Sequence, residues 1–336
     1  MKKAGIAVAV VAAIALAVFL IYDGVFNKTS STDFFAMDTV ISAEVVGADS
    51  EKCINEIKSV VTSLDSDILS RHSDASVVAV LNRNLGGDVD PEFREYLGIM
   101  LDICRKSGGK FDFTLGAVSD LWSFTSDPTV PDPEILNSVI SSSGYENITV
   151  SGNTVSYGNG NLVIDFGAAG KGIALDEIKA VLDGKKIKEA TVTVGGSVLI
   201  YGDEEKTVGI RAPFSNAGDH IAKNTVADVC ISTSGSYERR FEENGTEYHH
   251  ILDPDTGYPV QNNLVSVTII CESGILSDCL STACFELGLD EGMRLAEEYG
   301  CEAVFVTASN EIYATGGIYG KTEITDSAYT LIEYES

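Results

Sequence analysis

Five β-patterned stretches follow one another with no helical segment between them. They are 189–201 (EATVTVGGSVLIY), 207–212 (TVGIRA), 226–233 (VADVCIST), 248–252 (YHHIL) and 264–271 (LVSVTIIC). Each is rich in β-branched or aromatic residues, as pleated strands require. Strands and helices do not alternate strictly here, whereas a doubly wound sheet needs a helix after each strand, so the fold class is α+β. Helical spacing returns on either side. Downstream, helices are expected at about 277–287 and 291–299, followed by strands at 303–307 and 311–314. Upstream, residues 34–46 read as a strand. Residues 50–70 carry Ile54, Ile57, Val60, Val61, Leu64 and Ile68 on one helical face. A second helix runs from Pro91 to about Ser107 and ends at Gly108-Gly109. Residues 148–156 read as a hairpin around Ser-Gly-Asn. Residues 162–166 form a short buried strand that leads through a glycine-rich turn into a helix ending near Leu182.

The N-terminus differs from the rest. Lys2 and Lys3 precede residues 4–22, an unbroken run without a charge. As a helix it would be about 28 Å long, close to the hydrocarbon thickness of a bilayer. It ends Phe-Leu-Ile-Tyr-Asp, a poor cleavage site, which favours an uncleaved anchor over a cleaved signal peptide. Retention of the lysines inside would place residue 23 onward outside the cytoplasm. The expected organisation is an anchor (1–22), a polar linker (23–33) and one globular unit (34–336), with a division into two lobes left open.

The chain has 336 residues, with 23 basic against 50 acidic side chains and a net charge of −27. That balance excludes nucleic acid as a partner, because phosphate neutralisation needs clustered Lys and Arg. Four histidines (His72, His220, His249 and His250) exclude a His-rich metal cage. Seven cysteines, an odd number without a Cys-x-x-Cys pair, read as small buried apolar residues.

Four local features could carry chemistry. In Asp165-Phe-Gly-Ala-Ala-Gly-Lys171-Gly172 a strand ends at an acid, and a helix opens at a lysine. Unsatisfied N–H groups there would favour an anion, although an ordinary strand-to-helix turn reads the same way. Asp278, Ser281 and Thr282 lie at i, i+3 and i+4, so a carboxylate and two hydroxyls share one helix face. They suit a hard cation such as Mg²⁺, or simply the first turns of a capped helix. His250 leads into Asp253-Pro-Asp-Thr-Gly257, a base on a rigid turn or an incidental surface residue. Gly108 to Gly116, followed by Leu121-Trp122, supplies aromatics that could stack a flat ring or fill a core.

Taken in order, these segments resemble the ApbE family of flavin transferases (FAD:protein FMN transferases). The resemblance runs through Phe35-Ala-Met37-Asp-Thr39, Leu69-Ser70 to Leu81-Asn82, Gly109-Lys-Phe111-Asp112-Phe-Thr114, Leu121-Trp122, and Asp165 to Gly172 with Asp176 beyond. It continues through Thr193-Val-Gly195-Gly196, Thr233-Ser234-Gly235-Ser-Tyr237, His250-Ile-Leu252-Asp-Pro254 and Asp278-x-x-x-Thr282. Asp38 stands where the family has Gly, and His72 where it often has an aromatic ring. The resemblance implies an ApbE-like globular unit around an FAD cleft. It implies Mg²⁺-dependent transfer of FMN from FAD to a Ser or Thr hydroxyl of a target flavoprotein, with release of AMP. It assigns the base to His250. Flavin-nucleotide contacts fall to Met37, Phe111, Asp112, Asp165, Lys171 and Leu252, and the metal to Asp278, Ser281, Thr282 and the backbone oxygen of Ala168. It also implies an extracytoplasmic catalytic domain on the cell membrane. Its acceptor would be a membrane electron-transport subunit or an extracytoplasmic flavoprotein bearing an Asp-x-x-Ser/Thr-Gly/Ala-Ala-Thr sequence. Two alternatives use the same residues: an Mg²⁺-dependent FAD pyrophosphatase, and a non-catalytic flavin-binding protein on the membrane.

Overall fold

The structure is a computed structural model describing residues 27–158, 160–215 and 218–334. In chain order its elements begin with β1 (Thr29–Ala36), β2 (Thr39–Gly47) and α1 (Ser50–Ser63), which continues as a π-helical turn (Leu64–Leu69). Then come α2 (Val77–Asn84), β3 (Gly86–Asp88), α3 (Pro91–Lys106), α4 (Gly116–Trp122), α5 (Pro133–Ile140), β4 (Ile148–Ser151), β5 (Thr154–Tyr157) and α6 (Gly170–Asp183). The strand-rich stretch gives β6 (Ile187–Val194), β7 (Ser197–Tyr201), β8 (Lys206–Arg211), β9 (His220–Val226), β10 (Val229–Gly235), β11 (Arg240–Glu243), β12 (Thr246–His249) and β13 (Leu264–Cys271). The chain closes with α7 (Gly274–Leu287), α8 (Leu289–Glu298), β14 (Glu302–Thr307), β15 (Glu311–Ala314), α9 (Gly316–Tyr319), β16 (Thr322–Ile324) and β17 (Thr330–Glu333).

Nine strands form the central sheet in the order β1-β2-β6-β7-β10-β13-β14-β15-β17, antiparallel except for the last pair. Alternate residues serve its two faces. Leu199, Cys230, Ile269 and Phe305 join α1, α3, α6 and α7 in the main core. Ile200, Ile231, Ile270 and Val306 pack against the small sheet β16-β9-β8. Strand β13 is covered on both sides, which is why its sequence is almost continuously apolar. A separate apolar cluster of Val118, Trp122, Leu136 and Leu252 joins α4 and α5 to the turn after β12.

The expected fold class holds, and several boundaries move. Residues 34–46 are a hairpin rather than one strand. It turns at Met37 and Asp38, both at positive φ (53° and 56°), as a two-residue hairpin connection requires. Methionine is unusual in that conformation, and its N–H is held by Asp65 Oδ2 at 2.8 Å. Residues 189–201 are likewise a hairpin, turning at Gly195-Gly196. Gly195 has φ +57°, and a Cβ there would lie 2.9 Å from Thr39 Oγ1, so the two hairpin tips interlock. A period-two pattern does not register a turn whose residues keep the alternation, and so both hairpins read as continuous strands. Residues 162–166 form only an isolated bridge, Val163 to Leu115. Strand β1 begins at Thr29, inside the stretch read as linker. The apolar run 4–22 lies outside the described residues. Among the described residues no helix is long and apolar enough to cross a membrane.

Candidate active site

Six strand ends converge at one end of the sheet. The tips at 37–38 and 195–196 lie there, with the C-terminal end of β10 and the start of β13 beside them. Helix α7 crosses this end and packs on both β10 and β13. The crossing of α6 and α7 is unusually close. A Cβ on Gly172 would sit 2.2 Å from the Gly274 carbonyl oxygen and 2.7 Å from the Asp278 Cβ. Only glycine at both positions allows that approach. Gly172→Ala is therefore expected to destabilise the protein by about 1–3 kcal/mol, as overpacking does, and to lower transfer activity with it. Thermal unfolding checks this; an unchanged Tm would mean that the helices part without cost.

The crossing joins the two segments that the sequence presents separately. Asp278 on α7 is buried and accepts the Gly172 N–H at Oδ2 (3.0 Å). The Lys171 Nζ lies 3.2 Å from its Oδ1, and the Ser197 hydroxyl donates to the same oxygen at 3.4 Å. Because Gly172 N–H is taken by Asp278, it does not close the helical bond to the carbonyl four residues back. Among the described hydrogen bonds the Ala168 carbonyl accepts none. Asp176, one turn further along α6, accepts the N–H groups of Gly274 (2.6 Å) and Ile275 (2.8 Å) and so caps α7. Burial raises the Asp176 pKa, with these backbone bonds opposing the shift.

Hydroxyls line the rest of this corner. Ser234 on β10 contacts Ser281 Oγ at 2.8 Å and Thr282 Oγ1 at 3.0 Å. Ser232 bridges Ser197 and Ser277. Ser281 is buried and also donates to its own-turn carbonyl, Asp278 O, at 2.8 Å, whereas Thr282 is half-buried. A carboxylate, a free carbonyl and hydroxyls make a hard-oxygen donor set that fits magnesium. The Ala168 carbonyl is without a partner among the described hydrogen bonds, whereas Asp278, Ser281 and Thr282 would each exchange internal partners for the ion.

Asp165 holds the glycine-rich turn. Its Oδ1 accepts the Gly167 N–H (2.6 Å), and its Oδ2 accepts Arg71 Nε (2.6 Å). Arg71, which is also paired with Asp120, was not singled out from sequence; its one signal is a lone cation beside the Ser70 to Ser76 segment. The Met37 Cε lies 3.2 Å from the Cβ position of Gly170, which places the thioether against the start of α6. Three of the expected nucleotide contacts have side chains engaged within the fold. Phe111 is 1% exposed and belongs to the main core, so its ring presents no face to a ligand. Both Asp112 oxygens are occupied: Oδ1 accepts the Thr114 N–H and hydroxyl, and Oδ2 accepts the Tyr145 N–H. Leu252 is buried against Trp122 and Leu136.

His250 follows β12. Its N–H donates to Arg239 O (3.1 Å), and Lys110 ties the following turn through Asp253 (3.2 Å) and Asp255 (2.7 Å). Trp122 Nε1 donates to Gly257 O at 2.8 Å, pinning the same turn from the other side. The Nδ1 of His250 is buried with no hydrogen-bond partner among the described residues. Burial, with Arg239, His249 and Lys171 nearby, lowers its pKa to about 3. His249 differs: its Nε2 faces Val260 O at 3.1 Å, and its Nδ1 accepts the Ile251 N–H at 3.4 Å.

Comparison with known proteins gives the family and the fold. The ApbE family pattern matches residues 37–305. The FAD:protein FMN transferase of Treponema pallidum is 32% identical over 288 residues, covering 79% of this chain and 80% of its own length. The ApbE protein of Thermotoga maritima superposes with a TM-score of 0.79 at 28% identity, covering 86% of this chain and 98% of that one. The flavinyl transferase ApbE of Pseudomonas stutzeri gives 0.72 at 26% identity, covering 83% and 91%. A match over most of the sequence, with the same fold, places the chain in the ApbE family.

Proposed function

We propose that the protein transfers FMN from FAD to a Ser or Thr hydroxyl of a target protein, forming a phosphoester and releasing AMP. The observation that carries this reading is the buried Asp278, which joins the turn at Gly172 and the Lys171 ammonium to a hydroxyl-lined helix face. Asp278, Thr282 and the Ala168 carbonyl would hold Mg²⁺. Magnesium when bound neutralises charge on a diphosphate and favours displacement at phosphorus. Lys171 adds a positive charge in a chain whose net charge of −27 would otherwise repel a dinucleotide. The neutral imidazole of His250 takes the proton of the acceptor hydroxyl as its oxygen bonds to the FMN-side phosphorus, and the bond to AMP breaks. Met37 closes the site near α6, and Asp165 with Arg71 fixes the turn that receives the nucleotide.

Incubation with FAD, Mg²⁺ and an acceptor domain tests the proposal. A flavin adduct that survives denaturation is expected by mass spectrometry. Free FMN with no adduct would support hydrolysis instead, and bound but intact FAD a non-catalytic role. The low pKa of His250 gives a second test. A base with a depressed pKa stays neutral down to acidic pH, so the profile of kcat/KM should show no acid limb from this residue between pH 5 and 7. An acid limb near 6.5 would reject the buried imidazole as the base. We also propose that residues 4–22 tether the enzyme to the membrane with the catalytic unit outside the cytoplasm, near its acceptors. Only residues 23–28 separate that run from β1.

A further inference from the structure

Beside His250 the charge of the surface changes sign. Three of the eight arginines of this acidic chain, Arg211, Arg239 and Arg240, lie on two neighbouring segments at the rim of the site. Two of them are already engaged. Arg240 pairs with Glu247 and lies over the Phe214 ring, 4.6 Å from its centroid. Arg211 pairs with Glu238 at 3.0 Å and lies 5.5 Å from the Tyr237 ring. Arg239 is different. It is exposed, and its guanidinium has no acidic partner among the described residues, although its own carbonyl accepts the His250 N–H at 3.1 Å. Against the neighbouring Arg240, Phe214 is 57% exposed and has φ +59°, a backbone conformation that bulky residues seldom adopt. Its ring packs edge-on against Tyr237 at 5.9 Å. The rim therefore offers an uncompensated guanidinium on the residue whose carbonyl holds the His250 N–H, with an exposed aromatic ring against the next arginine along the chain.

We propose that Arg239, with Phe214 against the adjacent Arg240, forms the docking patch for the acceptor protein and takes an acidic side chain close to the hydroxyl that receives FMN. The inference rests on the transfer reading above. Charge complementarity selects the partner: a chain with 50 acidic side chains repels an acidic segment over most of its surface, so a local positive rim orients it. A guanidinium recognises a carboxylate through paired N–H donors, and an exposed aromatic covers the adjacent apolar surface of a peptide. Because Arg239 and His250 share a backbone hydrogen bond, a carboxylate seated on Arg239 would bring a nearby hydroxyl to the imidazole.

The test uses the full chain and an acceptor domain carrying Asp-x-x-Ser/Thr-Gly/Ala-Ala-Thr, with its Asp intact or replaced by Lys. Acceptor binding is read by fluorescence anisotropy, and adduct formation by mass spectrometry. Arg239→Glu should raise the Kd and KM for the intact acceptor about tenfold while leaving FAD affinity unchanged. The Lys-bearing acceptor should recover part of the loss on that variant, and the wild-type interaction should weaken with added salt. Unchanged acceptor binding in Arg239→Glu would overturn the proposal. So would a loss confined to FAD affinity, which would assign the patch to the nucleotide. If wild type binds the acceptor through Arg239 yet forms no adduct, the transfer reading fails and the docking patch stands.

Discussion

Asp278→Asn should fold normally and lose flavin transfer. The asparagine keeps an oxygen for the Gly172 N–H, so the α6–α7 crossing retains its bond, but the negative charge that Lys171 and a divalent cation would share is gone. Removing one electrostatic contact from such a site costs about 10²–10³-fold in rate. Asp278→Ala is the informative contrast. It also strands the buried Gly172 N–H, an unsatisfied donor worth about 1–3 kcal/mol, so it should lose stability as well as activity. Single-turnover flavinylation at several Mg²⁺ concentrations, with thermal unfolding alongside, separates the two effects. Retained transfer in the Asn variant would remove Asp278 from the site. A Tm equal to wild type in the Ala variant would show that the Gly172 bond contributes nothing.

What the sequence made legible follows from the range of each signal. The run of strands from 189 to 271 was readable because alternation is local, and it gave the fold class. The turns were not, since Gly195-Gly196 inside it, like Met37-Asp38 in the first hairpin, interrupts pairing without interrupting the pattern. The cation-binding corner was half legible. Each segment, Gly167 to Gly172 and Asp278 to Thr282, has an ordinary local explanation. Only the missing Cβ atoms at Gly172 and Gly274 bring the two together, a contact between residues more than a hundred positions apart. Ser197 and Ser232 were invisible for the same reason, and Ser234 showed only as part of a motif, as strand serines become a hydroxyl network only once α7 lies across them. Phe111 and Asp112 show what a motif leaves unsaid about packing. The motif points to a ligand, yet the ring fills the core and the carboxylate braces a turn against Tyr145. Such residues act on a site by holding its walls.

His250→Ala is expected to cut transfer by about 10²–10⁴-fold, the range for losing a general base, with FAD binding and Tm close to wild type. The reason lies in the contrast with its neighbour. Both ring nitrogens of His249 are engaged with backbone groups, and the ring sits edge-on to Phe285 at 6.0 Å. His249→Ala should therefore lower Tm, and reduce activity only as far as the turn at 250–257 loosens. In His250 the backbone N–H is tied down to Arg239, while Nδ1 is buried and unpartnered. Leaving a buried polar atom unsatisfied costs stability unless an incoming group repays it, so deleting this ring removes little from the fold and much from the chemistry. The adjacent pair is thus an internal control on one strand end. If the two alanine variants behave alike in both assays, the imidazole of His250 is scaffold rather than base. If His250→Ala alone loses rate, added imidazole should restore part of it, and the restored rate should rise with pH as the free base accumulates.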